Sequence, residues 1–160
     1  MLHINIVCVG KLKEKYLQDA ISEYSKRLTK YCSLSITELP DEKLPNNLSD
    51  SLINIIKEKE SDNIMSHTEK NSYIIALDLH GKQFSSEEFS EKIMNISTNS
   101  SSTITFIIGG TLGLSDKLLL VSNELICFSK MTFPHQLIRV FLLEQLFRAF
   151  KISNNETYHR

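Results

Sequence analysis

The chain has 160 residues, of which 41% are hydrophobic and 23% charged, with a formal net charge of −1 at pH 7. That is length enough for one domain, 1–160, around a real core, with the composition of an ordinary soluble globular protein. No apolar run reaches the ~18 residues of a membrane span, the N-terminus lacks the layout of a signal peptide, and Cys8, Cys32 and Cys127 form no CxxC pair; the expectation is a cytoplasmic protein with free thiols, no membrane and no metal.

Ile4, Asn5, Ile6, Val7, Cys8 and Val9 alternate and are rich in β-branched residues up to Gly10, which predicts a strand. Over residues 14–31 the apolar positions Leu17, Ile21, Tyr24, Leu28 and Tyr31 recur at spacings of four and three, the signature of one helix face. Lys26, Arg27 and Lys30 suit the dipole of its last turns. Residues 34–39 read as a second strand, and residues 40–47, with two prolines and two asparagines, as a loop. Ser49 or Asp50 caps a helix carrying Ile53, Ile56, Glu60 and Ile64. Residues 73–79 are almost continuously apolar, as expected of a strand covered on both faces.

His80, Gly81 and Lys82 are expected to turn the chain, and Ser85 with Glu88 has capping-box spacing ahead of Phe89, Ile93 and Ile96. A serine-rich loop is expected over residues 97–102, then a strand over 103–108, a short helix capped by Ser115 and a strand over 124–129. The last helix is predicted over about 134–151, with Pro134 in its first turn, where a missing N–H costs nothing. Strand and helix alternate throughout, the pattern of an α/β fold around a mostly parallel sheet of about five strands with flanking helices.

Ten of the fourteen residues from 137 to 150 are apolar and occupy nearly every angular position. Packing on one sheet covers about half a helix, and each large apolar side chain left in water forfeits roughly 1.5–3 kcal/mol. A second copy of the same helix is the simplest cover, so a homodimer is expected.

Ligands of open α/β sheets bind beyond the carboxyl ends of the strands. Three predicted ends fit one site: Leu77 to Leu79, Ile108 to Gly110, and Phe128 to Lys130. Familiar nucleotide and hydrolase signatures are missing: Gly109 and Gly110 are not part of GxGxxG, neither Gly10 nor Gly81 opens a P-loop, and GxSxG does not occur. The five histidines show no ligand spacing. Residues 130–160 carry five basic side chains against two acidic ones, a local surface suited to phosphate. Singly, these residues name no reaction.

As an ordered set they do. Ile107-Ile108-Gly109-Gly110-x-x-Gly113-Leu114, then Phe128-Ser129-Lys130-Met131-Thr132-Phe133-Pro134-His135-Gln136, then Arg139, Glu144, Gln145, Phe147, Arg148 and Ala149, and finally Tyr158-His159-Arg160 closely resemble the RlmH family, SPOUT-class methyltransferases of bacterial large-subunit ribosomal RNA. Val9 to Lys13 and Leu39 to Lys43 also look like this family. Thr111-Leu112 is a departure, with a bulky Leu where relatives often carry small or polar residues.

The resemblance implies a C-terminal trefoil knot, a homodimer, and methyl transfer from S-adenosyl-L-methionine to N3 of a pseudouridine in 23S ribosomal RNA of the assembled ribosome. Carried over by position, the cofactor-binding residues are Leu77, Gly109, Phe128, Ser129, Lys130, Met131, Thr132 and Phe133. Tyr158, His159 and Arg160 match the family's terminal motif and are the expected catalytic residues, part of a composite site across the dimer. Arg139 and Arg160 are the expected RNA contacts. Competing readings are a SPOUT methyltransferase of transfer RNA and an inactive ribosome-binding protein.

Overall fold

The computed structural model describes residues 1–158. Its elements are β1 (Leu2–Val9), α1 (Lys15–Leu28), β2 (Cys32–Leu39), α2 (Asp50–Ser66), β3 (Tyr73–Lys82), α3 (Ser86–Asn99), β4 (Thr103–Ile108), α4 (Asp116–Val121), β5 (Glu124–Ile126) and α5 (His135–Ser153). They build an α/β fold on one five-stranded sheet of order β2-β1-β4-β3-β5, in which every neighbouring pair is parallel.

The strand alternation sorts side chains between the two faces. Ile4, Ile6 and Cys8 of β1 and Phe106 and Ile108 of β4 join one core with Leu28, Ile93, Leu142 and Leu146. Val7, Val9 and Ile107 join the other, with Ile64 and Leu118. Helices α1, α3 and α5 therefore cover one face, and α2 and α4 the other.

The expected caps are present. Ser49 accepts from the Leu52 N–H, Ser115 accepts from the Leu118 N–H, and Ser85 with Glu88 closes a reciprocal capping box. Three boundaries move. β3 does not turn at His80: it runs on to Lys82, which pairs with Ile126 after an irregularity beyond Leu77. Gly81 permits this, because a Cβ there would lie 2.5 Å from the Ile126 carbonyl carbon. Residues 97–99 are helical, and β5 ends at Ile126, leaving residues 127–129 outside the strand.

Helix α5 is apolar almost all round for a reason inside the subunit. It lies on the sheet between α1 and α3, burying Leu142, Leu143, Leu146, Phe147, Ala149 and Phe150. Phe147 meets Tyr24 and Tyr31 edge-on, and Phe150 stacks on Tyr31 with centroids 5.4 Å apart. Ser90 donates to the Ala149 carbonyl at 2.7 Å. The apolar side chains left half-buried are Leu137, Ile138, Val140 and Phe141 in the first half of the helix and Ile152 in its last turn.

Candidate active site

The carboxyl ends of β3, β4 and β5 border a cleft of about 580 Å³. Seven of the eight expected cofactor residues line it: Leu77, Gly109, Phe128, Ser129, Met131, Thr132 and Phe133. Lys130 does not; its side chain faces solvent.

The turn after β4 forms the floor. Gly113 has φ +80 and donates its N–H to the Gly110 carbonyl at 3.1 Å, which closes the turn through Thr111 and Leu112. Gly109 is needed for close approach, since a Cβ would meet Leu114 Cδ2 at 3.0 Å and the Gly113 carbonyl carbon at 3.1 Å. The segment after β5 forms the opposite wall. Cys127 Sγ donates to the Ser129 carbonyl at 2.8 Å, and Ser129 Oγ accepts from the Met131 N–H at 3.0 Å, so the bend at 127–131 is braced internally. Phe133 packs edge-on against Phe141 at 5.4 Å.

Two apolar side chains stand uncovered around this cleft, Leu79 at 59% and Met131 at 73% exposure. Asp78 accepts from both the backbone N–H and Nδ1 of His80, at 2.9 and 3.1 Å. Leu79, Asp78, His80, Leu112 and His135 line the cleft without having been singled out as cofactor residues. For Asp78 and Leu79 the signal was their place directly after Leu77 in a strand end. His135, which reads as a capping or surface histidine in the sequence, is half-buried in the wall. Burial first, then the nearby Arg139 charge, hold its imidazole below the usual 6.5, partly offset by Asp41.

Arg139 is not an RNA-facing residue in this fold. It is 2% exposed and holds Glu38 Oε2 at 2.7 Å, the Val9 carbonyl at 2.9 Å and the Gly10 carbonyl at 2.7 Å. Glu38 Oε2 also accepts from the Leu12 N–H at 2.8 Å. Arg139 therefore pins the start of α5, directly after the cleft wall, to the carboxyl end of β1.

Tyr158 lies against α5: its ring is 4.9 Å from Phe147, the Arg148 guanidinium is 4.7 Å above it, and its hydroxyl donates to Glu144 Oε1 at 3.3 Å. Burial raises its phenol above the usual 10, with Tyr24 and Glu144 adding to the effect. Tyr158 is thus a neutral donor whose hydroxyl hydrogen goes to Glu144. Just before it, Glu156 accepts from Lys151 at 2.6 Å, Tyr31 at 2.9 Å and Lys30 at 3.1 Å. These partners, Lys151 foremost, hold its carboxyl down to about 2. His159 and Arg160 lie outside the described residues. Among the described residues, no group of three or more His, Cys, Asp or Glu is placed to hold a metal ion, and no helix is long and apolar enough to cross a membrane.

A family model described as "Predicted SPOUT methyltransferase" matches residues 2–159. The chain is 56% identical over 159 residues to "Ribosomal RNA large subunit methyltransferase H" of Clostridium acetobutylicum, covering 99% of this chain and 100% of that protein. It is 57% identical over the same length to the protein of the same name from Clostridium botulinum, with the same coverage. Among solved structures, a probable methylase family protein from Haemophilus influenzae Rd KW20 superposes with a TM-score of 0.55 at 14% identity, over 98% of this chain and 70% of that one, which bears on the fold alone. With a full-length family match, relatives of this identity and a sheet whose strand ends meet at one cleft, the chain belongs to the SPOUT methyltransferases, in the RlmH family.

Proposed function

We propose that this protein, acting in the cytoplasm as one SPOUT domain and as a homodimer, transfers a methyl group from S-adenosyl-L-methionine to N3 of a pseudouridine in 23S ribosomal RNA of the assembled ribosome. The carrying observation is the one cleft that gathers Leu77, Gly109, Phe128, Ser129, Met131, Thr132 and Phe133. Its residues suit the donor. Gly109 keeps the floor free of a Cβ, Leu77, Leu79 and Met131 offer apolar surface to an adenine, and the braced bend at 127–131 presents backbone groups to its edge. When bound, the donor supplies a methyl group on a positively charged sulfur, so the chain itself has to align the acceptor and help its N–H lose a proton.

His159 is the residue proposed for that proton, Tyr158 for orienting the base, and Arg160 for holding phosphate or the charge that develops on the uracil oxygens. The proposed dimer face is the half-buried stretch of α5 around Leu137, Val140 and Phe141, and the proposed knot passes α5 through a loop of the chain. Deleting residues 158–160 tests the assignment of the tail: binding of S-adenosyl-L-methionine by calorimetry should survive, while methyl transfer to ribosomes should vanish. Transfer by the truncated protein would exclude the tail from the site.

A further inference from the structure

A second cavity, of about 330 Å³, adjoins the cofactor cleft and falls within the roughly 300–1,000 Å³ typical of small-molecule sites. The two share the wall from Ile126 to Ser129 and Phe133. The far side of the second cavity is made by the start of α3, with Phe84 and Ser86, and by Phe141, Glu144 and Gln145 of α5. Tyr158, the described residue of the proposed catalytic tail, is bonded to Glu144 of this wall.

Phe128, Phe133 and Phe141 are only half-buried, so the cavity keeps aromatic surface on which a base can stack. The polar side is a chain of hydrogen bonds whose direction is fixed at one end. The Glu144 carboxylate only accepts: Oε1 takes Arg148 at 2.6 Å, and Oε2 takes the Gln145 amide nitrogen at 2.8 Å. Gln145 therefore turns its NH₂ toward Glu144 and its carbonyl toward Ser86, whose hydroxyl donates to it at 2.7 Å. The hydrogen of Ser86 is committed, and Ser86 Oγ offers the cavity lone pairs only.

Taking the methyl acceptor proposed above as given, we propose that this cavity receives the target base and that Ser86 reads the N1–H of pseudouridine. Pseudouridine is joined to its sugar through carbon, so its ring carries an N1–H that uridine lacks. A hydroxyl held as an acceptor matches that extra donor. N1 and N3 lie on opposite sides of the C2 carbonyl, so a base held at N1 leaves N3 free toward the shared wall and the methyl donor. Ser86 is thus a specificity-determining residue: with uridine in the cavity its Oγ loses that partner.

Ser86→Ala tests this with the cap of α3 intact, because that cap is Ser85 and not Ser86. Transfer is measured on ribosomes carrying pseudouridine at the target and on ribosomes carrying uridine there, with calorimetry of S-adenosyl-L-methionine and native mass alongside. The wild type should prefer pseudouridine. Ser86→Ala should lower kcat/KM on pseudouridine about tenfold and on uridine far less, so the preference collapses. Ser86→Phe, which fills the cavity, should abolish transfer to both. In both variants cofactor affinity and mass should be those of the wild type. An unchanged preference in Ser86→Ala would overturn the assignment. So would a matching loss of cofactor affinity, which would give the cavity to the cofactor, or dissociation to monomers, which would give it to the subunit interface. Wild-type protein inactive on both ribosomes would instead sink the proposed function itself.

Discussion

The guanidinium of Arg139 gathers oxygens from β1, β2 and the turn after β1 at the point where α5 begins. Arg139→Met would strand two buried carbonyls and should cost about 3 kcal/mol in urea unfolding; a loss under 1 kcal/mol would show that the network carries little. No sequence pattern announces this role, because the partners lie 101 to 130 residues away. A surface cation and a buried one look alike in the sequence. Lys130 shows the same limit from the other side: it sits within a run that lines the cleft, yet points away from it. Gly81→Ala should be more damaging than its exposed surroundings suggest, since the added methyl meets backbone. We expect loss of both stability and cofactor affinity as β3 and β5 separate. His135 gives a pH signature. Its folded value lies below its unfolded one, so the unfolded chain takes up the proton first. Stability should fall as pH drops through about 6.5 and level off below the folded value. His135→Gln should flatten that fall in the urea midpoint; Glu60, whose carboxyl is raised by burial, acts with the opposite sign nearer its own range.

Among the elements, α5 has the most to explain. Its all-round apolarity was legible, but the inference from it was too simple: α1 and α3 cover most of the helix, and the stretch around Leu137 and Val140, with Ile152 in the last turn, is left half-buried. Val140→Glu should therefore yield a folded monomer by light scattering if the dimer forms there, and an unchanged dimer would move the interface elsewhere. The caps of α2, α3 and α4 were legible because a Ser at the right spacing acts locally. The extension of β3 was not, because it depends on pairing with Ile126 across a bulge. At the end of α5, Glu156 ties the segment before the tail to Lys30, Tyr31 and Lys151. Its depressed pKa means that this tie holds above the usual carboxylate range and is lost as pH falls toward about 2.

For the molecule as a whole, the order of strands and helices could be read from periodicity, and the rule that ligands sit beyond strand carboxyl ends pointed to the cleft, although β3 runs past Leu79 and β5 stops short of Phe128. Periodicity could not give the pairing order β2-β1-β4-β3-β5. The residues proposed for the cofactor came from the family's ordered motifs, and the fold brings all but Lys130 to one cleft. Under the proposed function, chemistry and RNA recognition depend on the assembled ribosome, on the tail and on the second cavity acting together. The central claim is tested most directly by offering labelled S-adenosyl-L-methionine and ribosomes from a strain lacking this activity, with isolated subunits and transfer RNA in parallel. The expected result is label confined to N3 of one pseudouridine in the large-subunit RNA of assembled ribosomes. Label on transfer RNA, or cofactor binding with no label on any RNA, would contradict it.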